Sequence, residues 1–400
     1  MGNVPHLRFP EFSGEWEEHT LSEYLEFKNG LNPDAKRIGS GLPFISVMDI
    51  LSEGVINYDN IRGKVNATEK EIECFGVKDG DLLFQRSSET LEDVGRANVY
   101  MDNRTAIYGG FVIRGRKIGN YDPLFFKYLL ATPLARKRTC RMGAGAQHFN
   151  IGQEGLSKIS LYFPSIEEQR KIAEFLSLID ERIATQNKII EDLKKLKSAI
   201  SKYLFARKDL LETTICLSNI ATLKNGYAFQ SGKYNALGKW KILTITNVPG
   251  ERYINDEDCN CIINLPNDIQ DHQVLKEGDI LISLTGNVGR VSLCKNGNYL
   301  LNQRVGLLQL AKNVNQEFLY QILSSQRFEN SMIACGQGAA QMNIGKGDVE
   351  NYVLPYSSNG NNILFAAKIL HSYDECIINE LRRLTLLTMQ KQYLLTQMFI

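Results

Sequence analysis

The 400-residue sequence lacks four features that would narrow its function at once. Its eight cysteines include no Cys-x-x-Cys pair, no apolar run reaches membrane-spanning length, and the N-terminus has no signal-peptide core. The formal net charge is only +1, so overall basicity does not indicate nucleic-acid binding, although local patches matter more than the sum. These absences predict a cytoplasmic protein with reduced, mostly buried thiols.

Catalytic motifs are also missing. The segment Asn32-Pro33-Asp34-Ala35 is the nearest approach to a methyltransferase catalytic turn, and it lacks the second proline and the aromatic residue. No Gly-x-x-x-x-Gly-Lys-Ser/Thr phosphate loop is present, and no carboxylate pair with a lysine fits a metal nuclease. The sequence therefore predicts a chain that is not an enzyme by itself and that binds no metal or cofactor.

A long helix is predicted over 167–205. Ser165 is a candidate N-cap, and Glu168 three residues later completes a capping-box pattern. At ~1.5 Å per residue this helix is roughly 58 Å long, and it needs a partner along its apolar stripe. The stripe has helical spacing over five heptads: Ile172, Leu176, Ile179, Ile183, Ile190, Leu193, Ile200 and Leu204.

The predicted partner is the end of the same chain, where the pattern recurs at an offset of 194 residues. Two interruptions of the stripe recur as well, since Lys197 corresponds to Lys391 and Gln186 to Glu380. The two lysines either extend to water or mark where another subunit docks. The recurring apolar residues are Ala366, Leu370, Tyr373, Ile377, Leu384, Leu387, Leu394 and Met398.

The segment before each helix is also repeated. A Gly-Asp-x-Leu turn at Gly80 recurs at Gly278, and a Gly-rich loop ending in Asn150-Ile151 recurs at Asn343-Ile344. The sequence therefore predicts an α+β fold with two pseudo-repeated α/β domains and two long helices that pair with each other. The predicted boundaries are 1–164 for the first domain, 165–208 for the central helix, 209–361 for the second domain and 362–400 for the C-terminal helix.

Polar loops at matching positions of the two copies are candidate DNA-binding segments. Arg, Asn, Gln and Ser side chains suit base edges and phosphates, and Gly-rich loops let the backbone approach a partner closely. In the first copy the candidates are Arg86, Ser87, Ser88, Arg96, Gln147, His148 and Asn150. In the second copy they are Ser283, Thr285, Asn287, Arg290, Gln303, Arg304, Gln341 and Asn343.

Structural roles remain open for several of these residues. Arg96 and Arg290 also suit ion pairs within a surface loop, and Asn150 and Asn343 also suit capping of a tight turn before the last strand. The basic cluster Arg136-Lys137-Arg138 with Arg141 suits phosphates, and it equally suits a solvated helix end.

The arrangement resembles the specificity subunit of type I restriction–modification systems. The similar parts are the lead-in Pro5-His6-Leu7-Arg8-Phe9-Pro10-Glu11-Phe12, the Gly-Asp-x-Leu turn, the loop ending in Asn-Ile, and the helix start at Pro164 with Glu167-Glu168-Gln169-Arg170-Lys171-Ile172-Ala173. The second copy departs from this pattern, because Tyr356-Ser357-Ser358-Asn359-Gly360-Asn361-Asn362 replaces the helix start, which leaves open where the second helix begins.

The resemblance implies that each α/β domain is a target recognition domain for one half of an asymmetric, interrupted DNA site. The two long helices would pack antiparallel as a coiled-coil spacer that sets the gap and docks two modification subunits, which bring adenosylmethionine. Restriction subunits would bring ATP, magnesium and DNA cleavage. Two alternatives remain: a DNA-reading subunit of a different, type II-like methyltransferase–nuclease, and a coiled-coil scaffold that binds proteins.

Overall fold

The computed structural model describes residues 2–145, 147–336 and 342–400. The chain divides into two compact units, unit 1 (Met1–Asn187 with Arg383–Ile400) and unit 2 (Lys188–Arg382). Each unit mixes strands with helices and contains part of both long helices. Within the described residues, the helices are all too short or too polar to cross a membrane.

Unit 1 contains short strands and helices followed by most of the first long helix. Its strands are β1 (Glu17–Thr20), β2 (Leu25–Asn29), β3 (Ile38–Ile45), β4 (Gly63–Val65), β5 (Gly76–Val77), β6 (Leu82–Gln85), β7 (Ser87–Ser88), β8 (Ala97–Val99), β9 (Ala106–Tyr108), β10 (Val112–Lys117), β11 (Phe149–Asn150) and β12 (Ser160–Phe163). Its helices are α1 (Val47–Ile50), α2 (Glu69–Phe75), α3 (Pro123–Ala131), α4 (Pro133–Cys140), α5 (Gln153–Ser157) and α6 (Ile166–Ala206), whose last turns belong to unit 2.

Unit 2 follows the same order. Its strands are β13 (Thr213–Cys216), β14 (Ala221–Asn225), β15 (Trp240–Leu243), β16 (Asn260–Ile262), β17 (Val274–Leu275), β18 (Ile280–Ser283), β19 (Val291–Leu293), β20 (Tyr299–Leu301), β21 (Val305–Leu310) and β22 (Val353–Tyr356). Its helices are α7 (Gln316–Leu323), α8 (Gln326–Cys335), α9 (Lys346–Glu350) and α10 (Gly360–Gln397), whose last turns belong to unit 1.

The sheets of the two units share one topology. Unit 1 has the strand orders β2-β10-β6-β8, β4-β3-β9-β5 and β1-β12, and unit 2 has β14-β21-β18-β19, β16-β15-β20-β17 and β13-β22. The parallel pair β3/β9 corresponds to the parallel pair β15/β20. The prediction of an α+β fold with two repeated domains is confirmed.

The Gly-Asp-x-Leu turn has the same geometry in both units. Gly80 and Gly278 adopt φ values of +81° and +87°, a conformation that favours glycine. The backbone N–H of Lys78 donates to Oδ2 of Asp81 at 2.9 Å, and the N–H of Lys276 donates to Oδ2 of Asp279 at 2.8 Å. The aspartate closes the turn, and the following strand, β6 or β18, is buried along its whole length.

The predicted apolar stripes face the interior. In α6, Leu176 is fully buried, and in α10, Ala366 and Leu370 are fully buried. Asp180 of α6 pairs with Lys391 of α10 in unit 1, and Lys197 pairs with Asp374 in unit 2. Residue numbers rise along α6 as they fall along α10, so the helices run antiparallel as predicted.

The lysines that interrupt the stripes therefore have partners within the helical pair. Lys197 Nζ lies 2.5 Å from Oδ1 of Asp374, and Lys391 Nζ lies 2.6 Å from Oδ1 of Asp180. Each lysine therefore makes an ion pair that occurs once in each unit, a role that neither alternative proposed from the sequence included.

The lead-in segment binds the start of α6. Arg8 makes two bonds to the buried carboxylate of Glu168, Nε at 2.8 Å and Nη2 at 2.7 Å. Lys171 pairs with Glu11, and the rings of Phe9 and Phe175 meet edge to face at 5.9 Å. The N–H of Glu168 donates to Ser165 Oγ at 3.4 Å, as the N-cap prediction requires, whereas its carboxylate binds Arg8.

The second long helix begins at Gly360, so the departure from the sequence pattern does not prevent a helix start. Ser357 Oγ accepts the N–H of Asn359 at 3.1 Å and lies close to this first turn.

The cysteine prediction is partly wrong. All eight cysteines are free thiols, but only Cys294 is buried, and Cys74, Cys335 and Cys376 are exposed. Burial raises the pKa of Cys294 to about 12. Cys376 falls outside the predicted apolar stripe of the C-terminal helix, to which Tyr373 and Ile377 belong, so the helical period indicated its surface position.

Candidate nucleic-acid interface

In unit 1, a two-stranded ladder brings together candidate loops that lie more than 60 residues apart in sequence. β7 pairs with β11 so that Ser88 lies opposite Phe149 and Ser87 opposite Asn150. The hydroxyl of Ser87 donates to Oδ1 of Asn150. The N–H of Ile151 donates to the carbonyl of Arg86 at 3.0 Å, which extends the ladder by one residue.

The Gly-rich loop of unit 1 is closed by hydrogen bonds between its own residues. Asn150 exchanges both backbone hydrogen bonds with Ala144 at 2.9 Å, and its Nδ2 donates to the carbonyl of His148 at 3.3 Å. The amide of Asn150 is thus used within the turn, in agreement with the capping alternative. Gln147 and His148 are exposed beside it.

Unit 2 contains the same ladder in shorter form. Thr285 and Asn343 form an antiparallel bridge. The N–H of Gly286 donates to the carbonyl of Met342 at 3.0 Å, and the N–H of Ile344 donates to the carbonyl of Leu284 at 2.9 Å. Asn287 and Asn343 are exposed there. Gln341, also a predicted site residue, lies outside the described residues.

A third segment, the turn before β10 in unit 1 and the turn before β21 in unit 2, is hydrogen-bonded to the residue that follows β6 or β18. The N–H of Arg86 donates to the carbonyl of Phe111 at 2.9 Å, and the N–H of Leu284 donates to the carbonyl of Arg304 at 3.0 Å. Gln303 and Arg304 are exposed on the unit 2 turn. Each unit therefore brings three turns together at one edge: the loop after β6 or β18, the turn before β10 or β21, and the Gly-rich loop.

The predicted arginines differ in how much of their charge is already paired. Arg96 lies 2.7 Å from Asp93 and is about half exposed, and Arg290 lies 3.5 Å from Glu329. Both pairings agree with the structural alternative. Arg86 is half-buried, and its Nη1 donates to a neutral partner, the carbonyl of Gly110, at 3.3 Å.

Ser283 lies inside the unit rather than on its surface. Its side chain is fully buried, and its hydroxyl donates to the carbonyl of Thr285 at 3.3 Å. The Ser283 hydroxyl shapes the loop and is not exposed to a ligand in this conformation. Ser87 and Ser88, by contrast, are partly exposed.

Two arginines of the basic cluster, Arg136 and Arg138, serve the fold of unit 1, whereas Lys137 and Arg141 are exposed. Arg136 Nη2 donates to the carbonyls of Glu92 at 2.8 Å and Val94 at 2.6 Å, and burial lowers the pKa of this arginine. Arg138 Nη1 lies 2.6 Å from the carboxylate of Glu18. Neither role proposed from the sequence describes Arg136, because its guanidinium is hydrogen-bonded to the backbone of the candidate loop.

Comparison with known proteins identifies the family. The family model Methylase_S, described as the type I restriction modification DNA specificity domain, matches the chain twice, at 13–195 and 212–388. The chain belongs to this family. The two matches coincide with the two structural repeats.

Relatives of this specificity-domain protein span most of its length. It is 25% identical over 354 residues to the "Type I restriction enzyme MjaVIII specificity subunit" of Methanocaldococcus jannaschii, covering 82% of this chain and 78% of the relative. It is 24% identical over 374 residues to the "Putative type I restriction enzyme MjaX specificity subunit" of the same organism, covering 88% and 85%.

Two solved structures share the fold. The type I restriction–modification S subunit from M. genitalium aligns with a TM-score of 0.60 and 17% identity, over 99% of both chains. A chain from a structure described as the basis of complex assembly and conformational transition of the type I R-M system aligns with a TM-score of 0.58 and 14% identity, over 96% of this chain and 97% of that chain.

A second surface of this family member lies on the helical pair within unit 1. Leu178, Leu386 and Met389 have exposed fractions of 52%, 65% and 63%. Leu178 and Leu386 line an open groove together with Phe175, Ile179 and Leu387. Such a cluster of exposed apolar side chains is typical of a protein–protein contact.

Sequence reasoning missed one exposed residue of the unit 1 edge, Phe111, although it selected Arg304 at the corresponding position of unit 2. The only available signal was a phenylalanine directly after Gly109-Gly110, where a polar turn residue is expected. Within the described residues, no group of His, Cys, Asp and Glu side chains is placed to hold a metal ion.

Proposed function

We propose that this chain is the DNA sequence-recognition subunit of a type I restriction–modification complex. Unit 1 reads one half of a bipartite, asymmetric site, and unit 2 reads the other half. The supporting observation is that both units form the same three-turn edge and place different side chains on it. Ser87 and Phe111 in unit 1 stand where unit 2 has Thr285 and Arg304.

The chemistry belongs to partner subunits in this proposal. The chain confers specificity on an associated adenine methyltransferase and endonuclease and does not itself catalyse a reaction. Two modification subunits supply adenosylmethionine, and restriction subunits supply ATP and magnesium. The exposed apolar groove of Phe175, Leu178 and Leu386 is the surface on which we place one modification subunit.

The experiment that tests this function uses the chain co-purified with its modification subunit. Footprinting should show two short protected tracts separated by a gap of indifferent sequence, and methylome sequencing with and without the gene should show one matching bipartite motif. A single continuous tract would contradict the proposal, and the absence of any tract would favour the coiled-coil scaffold that binds proteins.

Arg86 separates base reading from phosphate binding in unit 1. We expect Arg86→Ala to change the methylated motif in one half only, because a two-pronged arginine contact to guanine discriminates by about 1–3 kcal/mol. If Arg86 binds phosphate, affinity should fall alike for all sequences and the salt dependence should weaken.

Arg104→Ala is the matched control for Arg86→Ala. Arg104 also lies in unit 1, is about half exposed, and is paired with Asp59 and Asp102. Its removal should leave both the motif and the affinity unchanged.

A further inference from the structure

The turn before β10 presents an aromatic ring to solvent. The N–H of Gly109 donates to the carbonyl of Ile45 at 3.0 Å, and the N–H of Val112 donates to the carbonyl of Gly109 at 2.9 Å, so the turn is fixed at both ends. Phe111 at its tip has 67% of its side chain exposed. An exposed phenylalanine forgoes the stabilisation that burial of its ring would contribute.

Unit 2 builds the same turn with a cation at its tip. The N–H of Asn302 donates to the carbonyl of Leu243 at 3.2 Å, and the N–H of Val305 donates to the carbonyl of Asn302 at 2.9 Å. Arg304 accepts the N–H of Leu284 as Phe111 accepts that of Arg86. Phe111 and Arg304 therefore occupy one backbone position, and only their side chains differ.

A neighbouring position shows the same contrast. Ser46 and Thr244 follow corresponding strands, and each is bridged to the residue three places later, Asp49 or Asn247. Met48 lies in the first of these turns with 73% of its side chain exposed, and Thr246 is its exposed counterpart. The edge of unit 1 thus carries two exposed apolar side chains where unit 2 carries polar ones.

We propose that unit 1 reads its half-site partly through apolar contact between Phe111 and a base, whereas unit 2 uses the charge of Arg304 at the corresponding position. This inference rests on the proposed function and names the chemistry of one contact in it. Two features of DNA offer an apolar surface to a phenylalanine: the thymine methyl group in the major groove, and the face of a base at an opened step.

The test compares Phe111→Ala with Ile118→Ala in the complex with the modification subunit. Ile118 is the matched control, because it is 59% exposed and directly follows β10 at the end opposite Phe111. We expect Phe111→Ala to weaken binding to the specific duplex about 10- to 100-fold, with little effect on unrelated duplexes. The methylated motif should relax in one half only, and Phe111→Tyr should retain most of the affinity.

Modified duplexes distinguish the two surfaces. If Phe111 contacts a methyl group, replacing thymine by deoxyuracil in that half-site should weaken the wild type but not further weaken Phe111→Ala. If the ring contacts an opened base step, the fluorescence of 2-aminopurine placed in that half-site should increase when the wild type binds. It should not increase when Phe111→Ala binds.

The outcomes separate this inference from the function on which it rests. A wild-type complex that lacks a bipartite motif overturns both. A wild-type complex with a bipartite motif, together with a Phe111→Ala variant that matches Ile118→Ala in motif and affinity, overturns the inference alone. Unchanged co-purification and thermal midpoint of Phe111→Ala establish that a loss of binding is not a loss of folding.

Discussion

Asp81 and Asp279 show how one residue type is required by a turn. Each carboxylate accepts the backbone N–H three residues earlier, across a glycine with positive φ. Asp81 is buried and also lies 3.1 Å from Nε of Arg116. The motif recurs because any other acceptor geometry would leave a backbone N–H without a partner where the chain enters the core.

We expect Asp81→Ala to lower the free energy of unfolding of the chain by about 3 kcal/mol. The substitution removes the acceptor of the Lys78 N–H and leaves the Arg116 guanidinium without its carboxylate. Urea unfolding followed by circular dichroism measures the change.

Asp79→Ala is the control, because Asp79 lies in the same turn and is exposed. Its effect should stay within about 0.5 kcal/mol. Equal losses for the two variants would show that the turn does not depend on the Asp81 carboxylate.

The residue scale is also where sequence reasoning had its clearest limits. The pairing of Ser87 with Asn150 joins residues 63 positions apart, and only the register of β7 against β11 determines it. The burial of Ser283 and the use of Arg136 as a brace depend on neighbours from distant segments in the same way. Local patterns carry no information about these contacts.

At the scale of elements, the two long helices combine an apolar stripe with charges placed inside it. Asp374 accepts Lys197 at 2.5 Å, Arg252 at 2.9 Å and Gln321 at 2.6 Å, all within unit 2. Burial opposes the charge on Arg252, but its pairing with Glu317 and Asp374 raises its pKa above the ordinary value. Such a network fixes one register of the helices, because any shift would leave buried charges unpaired.

Unit 1 contains a simpler version of this network. Asp180 accepts Lys391 at 2.6 Å and the hydroxyl of Tyr128 at 2.9 Å. The side chains of Asp180 and Lys391 are 22% and 26% exposed, whereas those of Asp374 and Arg252 are both 8% exposed. The two aspartates are therefore equivalent in sequence but not in burial.

We expect Asp374→Ala to destabilise the chain by about 3–5 kcal/mol, since it leaves the largely buried Lys197 without its carboxylate and leaves Arg252 paired with Glu317 alone. Asp180→Ala should cost about 1 kcal/mol, because water reaches Lys391. Thermal unfolding of the two variants side by side measures the difference. Equal losses would mean that burial does not set the strength of these pairs.

At the scale of the whole molecule, the periodicity of the sequence predicted most of the fold. A heptad stripe and its copy 194 residues later identified both long helices and their pairing, because an apolar face of helical period must be covered by a partner. The antiparallel direction came from the family resemblance. The repeated turns identified the common topology of the two units. The short strands on which that topology depends could not be bounded from sequence, since several contain only two or three residues.

Helix length provides a test of the spacer role. Removing one heptad from each long helix, residues 184–190 and 381–387, takes equal lengths from the segments between the two Lys–Asp pairs. Seven residues correspond to about 10 Å, or roughly three base pairs. We expect the tolerated gap in the methylated motif to shorten while both half-sites stay unchanged. Methylome sequencing measures both, and altered half-sites would show that the helices do more than set distance.

Arg136 donates hydrogen bonds to the backbone carbonyl oxygens of Glu92 and Val94 in the loop after β6, and every amino acid supplies such an oxygen. These two hydrogen bonds therefore do not depend on which side chains the loop carries. Under the proposed function, substitutions in this loop can change the bases that unit 1 recognises without removing the contacts that hold the loop. New target sequences can therefore arise in a lineage while the fold of the unit is retained.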